Sequence, residues 1–137
     1  MMFLYRFALV VAFVVTLTGC TSTVIVRCRE GERLSVYNSL YFGTAKPDGV
    51  VTAKDWDEFL TKTVTPRFPK GLTSSRASGH WRGSDGEIVR EDSHVLTLVH
   101  PNDASSDKAV RELIDIYKAQ FQQEAVLRIT GYACVSF

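Results

Sequence analysis

The sequence is poor in the groups that usually announce a reaction. Its 137 residues hold three cysteines and three histidines. No two cysteines stand in Cys-x-x-Cys spacing, so the redox motif with an acidified thiol is missing. No Gly-x-Ser-x-Gly elbow is present to lift a nucleophilic serine above a sheet. Ser93 and His94 are adjacent in a strand pattern and point to opposite faces, which removes a dyad between them. His80, His94 and His100 match no helical or hairpin ligand spacing, so neither a metal nor a cofactor is expected. The glycine cluster Gly83-Ser84-Asp85-Gly86 leads into a strand pattern rather than a helix. It is therefore no phosphate loop.

A surplus of one charge is also lacking. Lys and Arg number 16 against 15 Asp and Glu, with the signs interspersed. A nucleic-acid binder collects basic residues on one face, so nucleic acid is excluded as a partner. With 23% charged and 11% aromatic residues, the composition is that of a folded domain and not of a disordered tail.

No apolar run is long enough to span a bilayer. Phe7 to Thr18 gives about a dozen residues where a helix needs about 20 to cross the hydrocarbon core. That is the length of an export h-region, and Arg6 supplies the cation ahead of it. Leu17-Thr18-Gly19-Cys20 follows directly and resembles the lipobox of bacterial lipoproteins. Small residues let the chain lie extended in a peptidase groove, and the Cys20 thiol is the atom that is acylated. The expectation is a signal peptide over 1–19 and lipidation, palmitate included, at Cys20. The alternative is an uncleaved membrane anchor. Two or three acyl chains hold far more strongly than one, since each buried methylene contributes about 0.8 kcal/mol. By resemblance to Gram-negative sorting, Thr21 after the cysteine points to the periplasmic face of the outer membrane.

Beyond a tether over 20–33, the chain reads as one domain over 34–137. Leu34 to Phe42 alternates, with Leu34, Val36, Leu40 and Phe42 on one side and Tyr37 and Tyr41 on the other, as a strand does. Pro47-Asp48-Gly49 is turn chemistry. Thr52 with Asp55 three residues on is a variant capping box. Trp56, Phe59, Leu60 and Val64 form one helical stripe, which Pro66 is expected to end. Leu72 to Arg82 is a weak strand, Gly83 to Gly86 a hairpin turn, and Ile88 to His100 a strand apolar enough to be central. Asp103 or Ser105 caps a second helix, whose stripe is Val110, Leu113, Ile114, Tyr117 and Phe121. Val126 to Phe137 is the last strand, with Leu127, Ile129, Ala133, Val135 and Phe137 on one face.

Strand, helix, strand, strand, helix, strand with right-handed crossovers gives an α+β, ferredoxin-like sandwich. Four antiparallel strands in the order 4-1-3-2 carry two helices on one face. That topology brings Cys28 and Cys134 to one sheet edge, and export places them in an oxidising space. A Cys28–Cys134 disulfide is expected, with two buried free thiols as the alternative.

Leu40-Tyr41-Phe42-Gly43, the run from Pro66 to Thr73 (PRFPKGLT), Gly79-His80-Trp81-Arg82, Arg90-Glu91-Asp92-Ser93 and the run from Phe121 to Arg128 together resemble domain of unknown function 3574. This is a family of small, often secreted or lipid-anchored bacterial proteins. The resemblance spans roughly 28–137 and implies a single domain and an envelope address, with no activity attached. The family pattern usually has Gln at position 80 and often Ser at 125. It therefore implies no histidine-dependent mechanism.

In the predicted topology Tyr41, His80, Trp81, Arg90, Glu91 and Ser93 gather at one end of the sheet, with Arg128 beside them. An aromatic ring next to a carboxylate and a guanidinium can bind a small polar ligand. The plainer alternative is a surface ion pair of Glu91 with Arg82, Arg90 or Arg128, worth under about 1 kcal/mol, with Trp81 as core edge. Arg67, fixed between Pro66 and Phe68, is a further candidate; the other reading is that it caps helix carbonyls. Tyr37, Tyr41, Thr130 and Tyr132 are expected on the helix-free sheet face, where exposed aromatics favour a protein partner or a homodimer. The leading expectation is a non-catalytic envelope binding domain. The rival is a small dimeric lyase, isomerase or oxygenase in the periplasm, with Glu91 as acid/base beside Arg67 or Arg90.

Overall fold

A computed structural model describes residues 26–136; the leader and Cys20 lie outside the described residues. The first strand, β1 (Arg33–Gly43), buries Val36, Asn38, Leu40 and Phe42. Their period of two turns one face of the strand toward the helices. Two short strands, β2 (Ala45–Lys46) and β3 (Gly49–Val50), close a small hairpin around Pro47 and Asp48. Helix α1 (Ala53–Phe59) starts at Thr52, whose side chain accepts from the Asp55 amide while the Asp55 carboxylate accepts from the Thr52 amide. That is the reciprocal capping the sequence predicts.

Pro66 does not end the helix. The chain widens into a π-helical turn over Leu60–Val64, where the Thr65 amide reaches back five residues to the Leu60 carbonyl, and continues as α2 (Thr65–Arg67). Proline removes an amide and crowds the carbonyl four residues back, and a π turn accommodates both at once. Helicity therefore runs three residues past the predicted stop at Val64.

The hairpin β4 (Thr73–Arg82) and β5 (Ile88–His100) is followed by α3 (Ala104–Phe121), which Asp103 caps by accepting from the Ser106 amide. The last strand is β6 (Val126–Val135). The sheet order is β4-β5-β1-β6, antiparallel throughout. Read from the other edge this is the predicted 4-1-3-2, with the two most apolar strands in the middle. The fold is a ferredoxin-like sandwich.

The core lies between that sheet and the helices. Phe42 is its hub, with ring centroids 4.6 Å from Tyr117, 5.2 Å from Trp56 and 6.0 Å from Phe59. The stripes Trp56, Phe59, Val64 and Val110, Leu113, Tyr117, Phe121 are all buried. Cys28 and Cys134 form a disulfide, their Cα atoms 5.4 Å apart. Leu34 pairs with Cys134 across the β1–β6 ladder, so the bridge ties the entering chain to the strand it will neighbour.

One polar cluster is built into this core. Asn38 is fully buried. Its amide oxygen accepts from Arg128 Nε at 2.6 Å and Thr130 Oγ1 at 3.0 Å, and its Nδ2 lies 2.7 Å from His100 Nε2. Arg128 Nη2 donates onward to Asp107 Oδ1 at 2.7 Å. His100 Nδ1 sits 2.8 Å from the Pro101 carbonyl. A carbonyl only accepts, so Nδ1 carries the proton and Nε2 accepts from Asn38.

Candidate functional site

The ladder registers fix which side chains share the helix-free face. Tyr37, Ser39 and Tyr41 of β1 pair with Val99, Thr97 and Val95 of β5 and with Gly131, Ile129 and Leu127 of β6. β4 extends the same face with Thr73, Ser75, Ala77, Gly79 and Trp81. Directly opposed residues in an antiparallel ladder point the same way. Leu127 is 59% exposed and Ile129 48%. Among the strand positions on this face, only Arg33 at one end and Glu91 at the other are charged.

Two of the predicted face residues are corrected. Thr130 pairs with Asn38 and Tyr132 with Val36, which places both on the helix side. Thr130 donates to Asn38 there. The parity of β6 follows from its register to β1, which the strand's own sequence does not state. The aliphatic set Leu127, Ile129, Ala133 and Val135 takes their place beside Tyr37 and Tyr41.

The predicted cluster at the sheet end divides in the same manner. Tyr41, Ser93, Glu91 and Trp81 share the open face. His80 and Arg90 pair with each other on the opposite side and are exposed. Arg128 is turned inward to Asn38 and Asp107. Arg67 is far away: the Phe68 ring lies 5.9 Å from that of His100, nine residues along β5 from Glu91, or about 30 Å. Its Nη1 donates to the Thr63 carbonyl at 2.8 Å, four residues back, which is helix capping.

Glu91 has a seat of its own. Its Oε2 accepts from the Ala45 amide at 3.2 Å. A Cβ on Gly43 would lie 2.7 Å from Glu91 Oε1 and 3.0 Å from Gln123 Oε1, so glycine makes the room. Gln123 Nε2 donates to the Ala45 carbonyl, and Tyr117 donates its hydroxyl to the Gly43 carbonyl at 2.8 Å. Burial, aided by the charges of Glu91 and Asp55, pushes the Tyr117 phenol far up, so it stays a hydrogen-bond donor. This carboxylate is held by the Ala45 amide, and among the described residues it makes no ion pair. The predicted ion pair to Arg82, Arg90 or Arg128 does not form.

Comparison with solved structures supports the fold. A phage SAM lyase in complex with S-methyl-5'-thioadenosine superposes with a TM-score of 0.57 at 14% identity, covering 84% of this chain and 97% of that one. CutA from Synechococcus elongatus PCC7942 superposes at 0.50 and 12% identity, covering 75% and 80%. Likeness at such identity concerns chain path alone. No curated protein sequence matches the chain. The profile of the family described as "Protein of unknown function (DUF3574)" matches residues 37–137, from within β1 to the C-terminus, and the chain belongs to that family.

Proposed function

We propose that this family member is an exported, lipid-anchored domain of the cell envelope that works by docking through its uncovered sheet face, with a second copy of the chain as the occupant. The observation that carries the docking surface is the composition of that face: tyrosine, serine, threonine and aliphatic residues across four strands, with charge only at its two ends. Interface cores are depleted of charge and enriched in tyrosine. A large apolar area left open on a small domain marks a contact surface.

Area and symmetry favour a second copy. Eleven residues of β1 and four strands give a face of roughly 35 by 20 Å, or about 700 Å². A standard interface takes about 800 Å² from each partner. In a face-to-face pair whose two-fold axis lies in the interface and crosses the strands, Arg33 of each copy stands over the other's Glu91. One patch is then its own complement, as an isologous contact requires.

Export is supported by the leader and the Cys20 motif in the sequence and by the disulfide, a bond kept in oxidising compartments. Placement on the periplasmic face of the outer membrane rests on Thr21. Mass spectrometry of the native protein from membranes tests the anchor. An N-terminal Cys20 carrying acyl chains is expected, and an N-terminus at Met1 without fatty acid would sink it. Light scattering on the chain from Thr21 onward tests the dimer. The wild type should run as a dimer, and Ile129→Asp as a monomer with unchanged circular dichroism. A monomeric wild type at roughly 100 μM, far above the Kd of a useful contact, would defeat the reading.

A further inference from the structure

The helix side of the β4–β5 hairpin holds a feature that the docking face does not use. The ladder sets Arg76 opposite His94 and Ser78 opposite Asp92, all on the helix side. Helices cover the middle of the sheet but leave this corner open. The result is a cavity of about 640 Å³ between the hairpin, the β2–β3 turn and the start of α1. That lies within the range of small-molecule sites.

His94 forms its floor. The imidazole lies flat on Trp56, with centroids 4.3 Å apart and planes 4° apart. Trp56 is itself pinned, its Nε1 donating to Ser74 Oγ at 3.0 Å. His94 is only 6% exposed, and among the described residues neither of its ring nitrogens has a hydrogen-bond partner. Since no buried side-chain nitrogen or oxygen in the described residues is both sealed and unpartnered, those nitrogens open onto the cavity. His100 provides the contrast. Equally buried at 5% exposure, it uses both nitrogens within the protein, on Asn38 and Pro101. His100 is a satisfied core histidine; His94 is a buried ring whose nitrogens face the cavity.

The surrounding charges indicate what that partner is. Arg76 and Asp92 make no ion pair among the described residues. They lie on adjacent rungs of one ladder face, about 7 Å apart along the strands. Burial and the nearby Arg76 hold His94 below the usual histidine range, against the opposing pull of Asp57 and Asp92. The ring is therefore neutral at pH 7, one nitrogen donating and the other accepting.

We propose that this cavity binds a small amino-acid-like zwitterion, its carboxylate on Arg76 and His94 and its ammonium on Asp92. One cation and one anion on neighbouring rungs match a ligand of no net charge carrying both signs. A lone carboxylate would leave Asp92 repelling it, and a lone amine would leave Arg76 doing the same. Val50, Val51 and Ala53 supply an apolar wall for the ligand's side chain.

The test is calorimetry on the full chain in detergent with the common L-amino acids one at a time, and with acetate and methylammonium as single-charge probes. At least one amino acid should bind once per chain. Acetate and methylammonium should each bind at least tenfold more weakly. Arg76→Gln and Asp92→Asn, both at exposed positions, should each lower affinity at least tenfold while circular dichroism is unchanged. His94→Phe keeps the stack on Trp56 and should weaken binding likewise. Heat-free titrations for every amino acid up to roughly 5 mM, the scale of a very weak site, would overturn the proposal. Acetate binding as well as the best amino acid, or Asp92→Asn leaving affinity intact, would overturn it too. The dimer stands or falls separately, because its residues lie on the opposite face.

Discussion

Asn38→Leu is the most informative single change to the folded state. The substitution keeps the number and branching of the side-chain heavy atoms, so it opens no cavity and replaces the amide by two methyl groups. It strips partners from three groups: Arg128 Nε, Thr130 Oγ1 and His100 Nε2. Thr130 is exposed and can turn to water. Arg128 keeps Asp107 at 2.7 Å, so it forfeits one charge-assisted bond of about 1.5–3 kcal/mol. His100 is buried, and an unpartnered buried nitrogen costs about 1–3 kcal/mol. Gains from the buried leucine methyls offset part of this, leaving a net loss of about 3 kcal/mol.

Urea unfolding followed by circular dichroism reads this directly, with an unchanged slope confirming that only stability has moved. For a domain of this size about 3 kcal/mol lowers Tm by roughly 12 °C. Thr130→Val is the control, since it deletes one exposed bond of the cluster and should cost under about 1 kcal/mol. Were Asn38→Leu to cost no more than Thr130→Val, the reasoning that the cluster holds together sheet and α3 would be refuted.

Three other expectations follow from local geometry. The Cys28–Cys134 bridge closes a sequence separation of 106 residues, so replacing both cysteines with serine should lower stability by about 4–5 kcal/mol in the chain-entropy account, measured as a shift in urea midpoint. Gln122 sits in the left-handed region at φ 54° at the end of α3; Gln122→Gly should raise stability by about 0.5–1 kcal/mol, and a loss of Tm would contradict it. Stability should fall in two acid stages. Between pH 6.5 and the lower native value of His94, the unfolded chain takes up a proton that the native ring refuses. Below about pH 4 the same holds for Asp103 and Asp107, whose carboxyls are lowered chiefly by hydrogen bonds from Ser105 and Arg128 respectively. His94→Phe should remove the first stage and leave the second.

The topology was legible because each strand carries its period in its own residues and each helix its stripe and cap. Leu40 and Phe42 alternate, Thr52 and Asp55 bracket a helix start, and Leu113 and Tyr117 lie one turn apart. What could not be read was parity between elements. Nothing in Thr130-Gly131-Tyr132 states which side meets the helices; that depends on Asn38 standing opposite Thr130. The same dependence split the expected cluster, sending His80 and Arg90 to one side and Trp81 and Glu91 to the other. The π turn before Pro66 was hidden for a different reason, since proline signals a break and leaves open how the chain absorbs it. His94 was passed over as the wrong neighbour for Ser93. Its importance comes from Trp56 beneath it and from the missing hydrogen bonds, both properties of the packed state.

The proposed anchor, the disulfide and the proposed docking face constrain one another. The bridge fixes Cys28 to β6, and the stretch from Cys20 to Cys28 is eight peptide steps, which can span at most about 28 Å. With Cys20 anchored as proposed, each domain would stay within about one domain diameter of the bilayer. A pair whose two-fold axis crosses the strands puts its two Cys28 residues at opposite ends of the stacked sheets, roughly 35 Å apart. Both tethers can reach one membrane only if the strands do not stand upright on it: a height difference of at most about 28 Å over about 35 Å limits their tilt to roughly 50°. An axis parallel to the strands would bring both tethers to the same end and stand the pair upright, but it would set Arg33 over Arg33 and Glu91 over Glu91. Like charges facing across an interface cost stability, so the proposed dimer favours the axis that crosses the strands, and Arg33→Glu should weaken it while Arg33→Glu with Glu91→Arg should restore it. An Arg33→Glu protein that dimerises as well as the wild type would count against the crossed axis.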